Sequence, residues 1–197
     1  MSASKIKIAA LNHFANSGYE GTSLSAIASE VGIKKQSIYA HFANKDDLFL
    51  TVMNEVLIQE KEYIINFFIK NKQLSLEKKL FQFLQEYSNR YEEQAATKFL
   101  LRMGFLPPNH LYDQVMDNIY HYYDELEDIL VELFKENKQS LIGAVSINDA
   151  VIAFIGLNDA VLVELLYSGI ERFQRRLNAG WKIFWQGIAS KGGSEYE

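Results

Sequence analysis

Cysteine is absent from this 197-residue chain. The absence excludes disulfides, thiol catalysis and Cys-ligated zinc, and it suits a reducing cytoplasm. Proline occurs only as the adjacent pair Pro107-Pro108. So few helix breakers predict a chain that is nearly all helix. No stretch alternates with a period of two residues, so no sheet is expected. Net positive charge is lacking too, with a formal total of −5. The distribution counts for more than the total. Residues 1–50 carry five lysines against four acids, and the remainder fifteen basic against twenty-one acidic residues. Long apolar runs are scarce. The longest, Ala150 to Leu157, is closed by Asn158-Asp159 and falls far short of the roughly 20 residues of a membrane span, so no membrane partner is expected. Lys5, Lys7, Asn12 and His13 break up any leader-like segment near the start, and a cytoplasmic location is expected. An HExxH motif, a Glu-x-x-His pair and a glycine-rich phosphate loop are all missing, so neither an enzyme nor a cofactor is expected.

What is present is helical periodicity. Ile6, Ala9 or Ala10, and Phe14 share one face of a first helix that Ser17-Gly18 closes. Gly21-Thr22-Ser23 supplies caps for a second, short helix carrying Leu24, Ile27, Ala28 and Val31, which Gly32 ends. A third runs from about Lys35 to Phe42. Asn44 caps a fourth, with Asp46 and Asp47 well placed near its positive end, continuing to about Ile69. Further helices are expected from Ser75 to Glu93, Ala95 to Leu106, Asn109 to Asn137, Ile147 to Tyr167 and Ile170 to Ala189, with a loop over Gln139 to Val145.

The segment Leu24 to Phe42 has the spacing of a helix-turn-helix. Ala28 is small where the second helix must pack against the first. Gly32 permits the positive φ of the reversal, Ile33 fills the corner, and Ile38 anchors the second helix ten residues after Ala28. Lys34, Lys35, Gln36, Ser37, Tyr39 and His41 remain to meet phosphates and base edges. Tyr39 suits a phosphate contact through its hydroxyl or a place in the core. Lys45 suits either a phosphate or plain solvent, and His41 either packing or base reading.

Phe14, Gly18-Tyr19, Gly21-Thr22-Ser23, Ile27-Ala28, Val31-Gly32, Ile38-Tyr39, His41-Phe42, Asn44-Lys45 and Leu48-Phe49, taken in order, resemble the DNA-binding domain of the TetR family of repressors. The resemblance covers about the first 50 residues. It implies a three-helix DNA-binding domain with the first turn of the fourth helix also facing DNA. It further implies a helical C-terminal domain that dimerises through its last two helices and holds a ligand. Thr22, Ser23 and Lys45 then join the six residues above as DNA-binding candidates. Gln36 departs from the glycine or alanine common in the family, and a glutamine can bond an adenine edge with both its groups.

The expected fold is therefore all-α. A three-helix helix-turn-helix domain spans residues 1–45, a helical ligand-binding and dimerisation domain 46–190, and a flexible tail 191–197. The expected partners are double-stranded DNA carrying a palindromic operator, a small apolar or amphipathic effector, and a second copy of the chain. Aromatic residues make up 13% of the chain. Tyr87, Tyr91, Phe99, Met103, Met116, Tyr120, Tyr123 and Phe154 are the candidates to line an effector cavity. Arg102 either reaches solvent or offers its charge to an anion. The segment Ile147 to Leu166 is too apolar for the surface of a monomer, and Gly156 and Ala160 allow close helix approach. Phe154, Val161, Leu165, Phe173, Leu177, Trp181 and Phe184 are the candidate dimer contacts. His110, Asp113, Asp117, His121, Asp124 and Asp128 form one stripe, in which Asp117 and His121 have the i, i+4 spacing of a metal-ligand pair. Opposite Leu111, Val115, Ile119, Tyr122, Leu126 and Leu133 it reads as the solvent face, so no metal is expected.

Overall fold

The computed structural model of the chain describes residues 3–141 and 143–190. The tail expected over 191–197 lies outside the described residues. Among the described residues nine α-helices follow one another: α1 Ala3–Ser17, α2 Leu24–Val31, α3 Lys35–Ile38, α4 Lys45–Lys70, α5 Leu76–Glu93, α6 Ala95–Phe105, α7 Tyr112–Glu136, α8 Ile147–Tyr167 and α9 Ile170–Ile188. Short 3-10 turns at Asn109–Leu111 and Lys138–Ser140 complete them. Among the described residues no strand forms. A single bridge pairs Leu141 with Ala189.

The helices group into two compact units, Met1–Glu62 with Tyr91–His121, and Tyr63–Arg90 with Tyr122–Glu197. This division differs from a boundary at 45/46. The reason is aromatic packing. In the first unit the Phe99 ring of α6 lies 6.2 Å from Phe14 of α1 and 5.6 Å from Phe49 of α4. Phe14, Phe49 and Phe99 are all fully buried. The N-terminal helices thus share one core with α6 and cannot end their packing at residue 45. Phe99, a candidate for the effector cavity, is enclosed in that core. Met103 is buried in the same unit, Tyr120 is 58% exposed, and Tyr91 and Met116 are half-buried. In the second unit Tyr87 packs against Phe83, and Phe83 against Phe154. Tyr123 donates to Asp159 at 2.8 Å. Burial pushes the Asp159 carboxyl up, against the opposing bonds from Tyr123 and Asn158. The eight candidates are therefore divided between the units and do not gather within either.

Helices α8 and α9 pack on one another within the second unit. Phe154 and Phe184 stand 5.9 Å apart, and Trp181 stacks on Trp185. The Glu164 carboxylate, buried on α8, meets Arg176 and Arg172 of α9. A bond from Ser168, then those arginines, hold it below the usual carboxylate range. Phe154, Val161, Leu165, Phe173, Leu177 and Trp181 are all at most 6% exposed within the single chain. They are intrachain core, not the contact surface expected of them, because each points from α8 or α9 into its own unit. The expectation that no segment is long enough to span a membrane also needs correction. Ile147–Tyr167 is long and apolar enough by length and composition, with a mean hydropathy of 1.8. Counting only uninterrupted apolar residues hid it, since single polar residues such as Asn158 and Glu164 lie buried in the helix.

If Phe99 is core, Phe99→Ala should lower the unfolding free energy by about 3–5 kcal/mol. Urea denaturation followed by circular dichroism measures this. A change under about 1 kcal/mol would place the ring in an open cavity.

Candidate nucleic-acid interface

The reading surface is built from short helices with tightly specified ends. The Ser23 hydroxyl caps α2 by accepting from the Ala26 amide at 3.1 Å. Gly32 closes α2 at φ 75°, and the Ile33 amide returns to the Ala28 carbonyl at 2.9 Å. A side chain at 32 would strain this reversal. Ile27, Ala28 and Ile38 are at most 2% exposed, so the α2–α3 contact is fully desolvated. The α-helix of α3 ends at Ile38, short of Phe42. The His41 and Phe42 amides both donate to the Ile38 carbonyl, which tightens the last turn.

This packing leaves Lys34, Lys35, Gln36, Ser37, Tyr39 and His41 exposed along one stretch. Tyr39 is 49% exposed, so its hydroxyl is open to a phosphate and its ring is not core. Ser23 is exposed and keeps its O–H free to donate while its oxygen accepts the cap bond. Thr22 is different. It is buried, and its hydroxyl donates to the Gly18 carbonyl at 2.7 Å. Burial removes it from the reading face and makes it a latch of the α1–α2 turn.

Lys45 is likewise engaged. Its ammonium donates to the carbonyls of Tyr19 at 2.8 Å and Thr22 at 2.9 Å, and lies 3.9 Å from the Tyr19 ring centroid. A lysine at the first position of a helix faces an unfavourable dipole. Here two carbonyls and a ring face offset that. The neighbouring Asp46 accepts from the Tyr19 hydroxyl, and His110 Nε2 lies 3.2 Å from the same carboxylate oxygen. The Tyr19 bond first, then His110 and Lys45, hold the Asp46 carboxyl below its usual range against a push from burial. Burial first, then Asp46, raise the Tyr19 phenol. Asn44 caps α4 through the Asp47 amide at 2.8 Å, and Asp47 reaches back to the Ala43 amide at 2.8 Å.

Several of these roles escape sequence reasoning. His110, expected on a solvent stripe, turns to Asp46 and lies against the Tyr19 ring at 5.0 Å. Its apolar companions Leu111, Val115 and Ile119 are buried as expected. Arg102 lies beside the Gly18 turn, where a Cβ on residue 18 would meet its guanidinium at 3.3 Å. Gly21 is required for closeness, since a Cβ there would stand 2.4 Å from the Ser17 carbonyl oxygen. A glycine-punctuated α1–α2 link was the one signal that could have found it.

A two-turn helix, a glycine reversal and an exposed polar helix on a buried anchor define a helix-turn-helix DNA-binding domain. The family described as bacterial regulatory proteins, tetR family, matches residues 8–52. The biofilm operon icaADBC HTH-type negative transcriptional regulator IcaR of Staphylococcus aureus is 29% identical over 145 residues, covering 68% of this chain and 74% of IcaR. A TetR-family transcriptional regulator from Agrobacterium tumefaciens shares the fold with a TM-score of 0.73 at 16% identity, over 95% of this chain and 97% of that one. The transcriptional regulator FadR from Bacillus subtilis, solved in complex with stearoyl-CoA, gives 0.67 at 19% identity, over 95% and 100%. Residues 8–52 thus match the tetR family of bacterial regulatory proteins, and over 68% of its length the chain is similar to a negative transcriptional regulator.

The Asp46 carboxyl sets an acid limit on this head. Its folded value lies below the ordinary one near 3.9. Its stabilising contribution is therefore complete above that ordinary value and is lost as pH falls through the depressed folded value. Urea midpoints from pH 6 down to pH 2 should drop for the unaltered chain below about pH 4, and less steeply for Asp46→Asn. Equal slopes would show that the Tyr19–Asp46 bond contributes nothing to stability.

Proposed function

We propose that this protein is a homodimeric repressor, acting in the cytoplasm, that grips a palindromic operator with α3 of each subunit and lets go when a small effector binds its C-terminal helices. The observation that carries the DNA reading is the exposed polar run Lys34–Ser37, Tyr39 and His41 standing on the fully buried Ile38. Lys34 and Lys35 supply charge to the phosphates, and Gln36 supplies a donor and an acceptor in the plane a base edge needs. The description of the Staphylococcus aureus relative as a negative regulator supports repression. The Bacillus subtilis fold relative holding stearoyl-CoA supports an amphipathic effector.

Dimerisation follows from what α8 and α9 leave uncovered. Ile152 is 56%, Tyr167 63% and Ile183 74% exposed, and Gly156 and Ala160 are exposed between them. Large apolar side chains left open this way mark an association surface. A second copy presenting the same face gives an isologous contact, with Gly156 and Ala160 allowing the helices to approach closely. Covering by a second copy also accounts for an apolar helix of membrane length whose buried half already packs on its own subunit. A dimer places two α3 helices in successive major grooves, about 34–36 Å apart. An effector releases DNA only if it binds a spacing that does not fit those grooves, and such coupling is usually about 1–3 kcal/mol.

A gel shift with the DNA flanking the chain's own gene tests the regulator reading. In selection on randomised operators, Gln36→Ala should relax preference at one base position by about 1–3 kcal/mol. Lys34→Ala should weaken all sequences alike and flatten the salt slope by about one unit per head. A shifted sequence preference in Lys34→Ala with none in Gln36→Ala would reverse these roles.

Sedimentation separates the two kinds of helical face. Ile183→Asp should give a folded monomer with unchanged helicity. Val161→Asp, which puts a charge into the intrachain core, should unfold the subunit. A stable Ile183→Asp dimer would move the interface elsewhere.

A further inference from the structure

The second unit contains an open groove that neither α3 nor the outward face of α8 and α9 uses. It encloses about 750 Å³ between the C-terminal part of α4, the middle of α5 and the first half of α9. Its composition is out of the ordinary. Asparagine and glutamine make up 23 of the chain's 197 residues. They are seven of the fourteen residues that line this groove. Six of them, Asn66, Gln82, Gln85, Asn89, Gln174 and Asn178, are exposed. The seventh, Asn71, just past the end of α4, spends its amide on the Phe67 carbonyl of that helix. Half-buried Phe67 and buried Phe173 add aromatic rings to the groove's lining, and Lys70 and Glu86 cancel in charge.

We propose that this groove binds a neutral, hydroxyl-rich small molecule of the class of short saccharides and polyols. Exposed helix faces are ordinarily clothed in Lys, Glu, Arg and Asp. A wall of carboxamides is a different surface. Each carboxamide offers two donors and an acceptor without charge, and a sugar hydroxyl both donates and accepts. The two satisfy each other with no ion to desolvate. An anion or a cation would find no net charge here. An apolar ligand would strip water from six carboxamides and replace none of their bonds. The ring face of Phe67 suits the C–H side of a sugar ring, which is apolar beneath its hydroxyls. All six carboxamides stand on helices, so their spacing is held by the scaffold.

The proposal does not depend on the operator reading, because binding is scored on the full chain without DNA. Side-chain NH2 resonances are followed by 1H-15N correlation spectra while maltose, cellobiose and N,N′-diacetylchitobiose are titrated in turn. With at least one of them, the resonances of Gln82, Gln85, Asn89 and Gln174 should shift and saturate. Gln186, exposed on α9 and not among the lining residues, should stay still. The exposed double substitution Gln85→Ala with Asn89→Ala should keep its helicity and weaken that binding about tenfold or more, the loss of one to two net hydrogen bonds. The proposal is overturned if none of the three sugars gives a saturable shift, or if the shifts survive the double substitution. It is equally overturned if glucose 6-phosphate, glucosamine or decanoate moves the same resonances at lower concentration than any neutral sugar.

Discussion

The whole reading head hangs on how the α1–α2 turn is tied to the first turn of α4. Lys45 takes the carbonyls of Tyr19 and Thr22, and Asp46 takes the Tyr19 hydroxyl. These bonds fix a turn that glycine makes possible, Gly18 by its positive φ and Gly21 by having no Cβ. Thr22 latches the same turn from inside. Once the turn is fixed, α2 leaves it at one angle, and α3 inherits that angle through the buried Ala28–Ile38 contact. A four-residue helix has too little internal cooperativity to hold itself. Its orientation must come from what lies behind it, and the network at Tyr19 is where that support begins.

The C-terminal pair obeys a different constraint, that of having apolar residues on both sides of a helix. The stripe of Phe154, Val161 and Leu165 is consumed by packing within the subunit. The stripe of Ile152, Gly156 and Ala160 is not. Periodicity reports that a helix is apolar all round but says nothing about which stripe faces inward. That choice belongs to α9, against whose Gly180 the Leu157 side chain of α8 packs closely. The stripe that α9 leaves uncovered is the one the proposed dimer would use.

The same distinction explains how far the sequence could be read. Helices α1, α2, α4, α8 and α9 fall within a residue or two of their expected bounds, because caps such as Ser23 and Asn44 and breakers such as Gly32 are local signals. The exposure pattern of α3 was legible for the same reason: Ile38 is the buried anchor and its neighbours are exposed. Long-range partners were not legible. Nothing near Phe99 in the chain tells that its ring meets Phe14 and Phe49. Nothing near Lys45 tells that a carbonyl twenty-six residues earlier takes its charge. His110 lies sixty-four residues from the carboxylate it approaches. The carboxamide groove was invisible for a further reason, since its walls come from three helices that share no motif.

The loss of Lys45 to an internal role changes what the head can use to bind DNA. With a net charge of −5, the chain as a whole is repelled by the duplex. On the reading stretch, Lys34 and Lys35 are the exposed lysines left to neutralise phosphates. Counterion release scales with the number of phosphates neutralised, so each head contributes little non-specific affinity. Two consequences follow from that shortage. If α3 reads DNA as proposed, base contacts, with Gln36 foremost, must supply a larger share of the binding free energy than in a strongly basic head. On the proposed palindrome, joining two such heads raises affinity through effective concentration, which gives the proposed dimer an energetic role besides its symmetry. The exposed apolar face of α8 and α9 and the charge-poor face of α3 thus fit the same proposal, in which affinity is built by doubling a selective but weak contact.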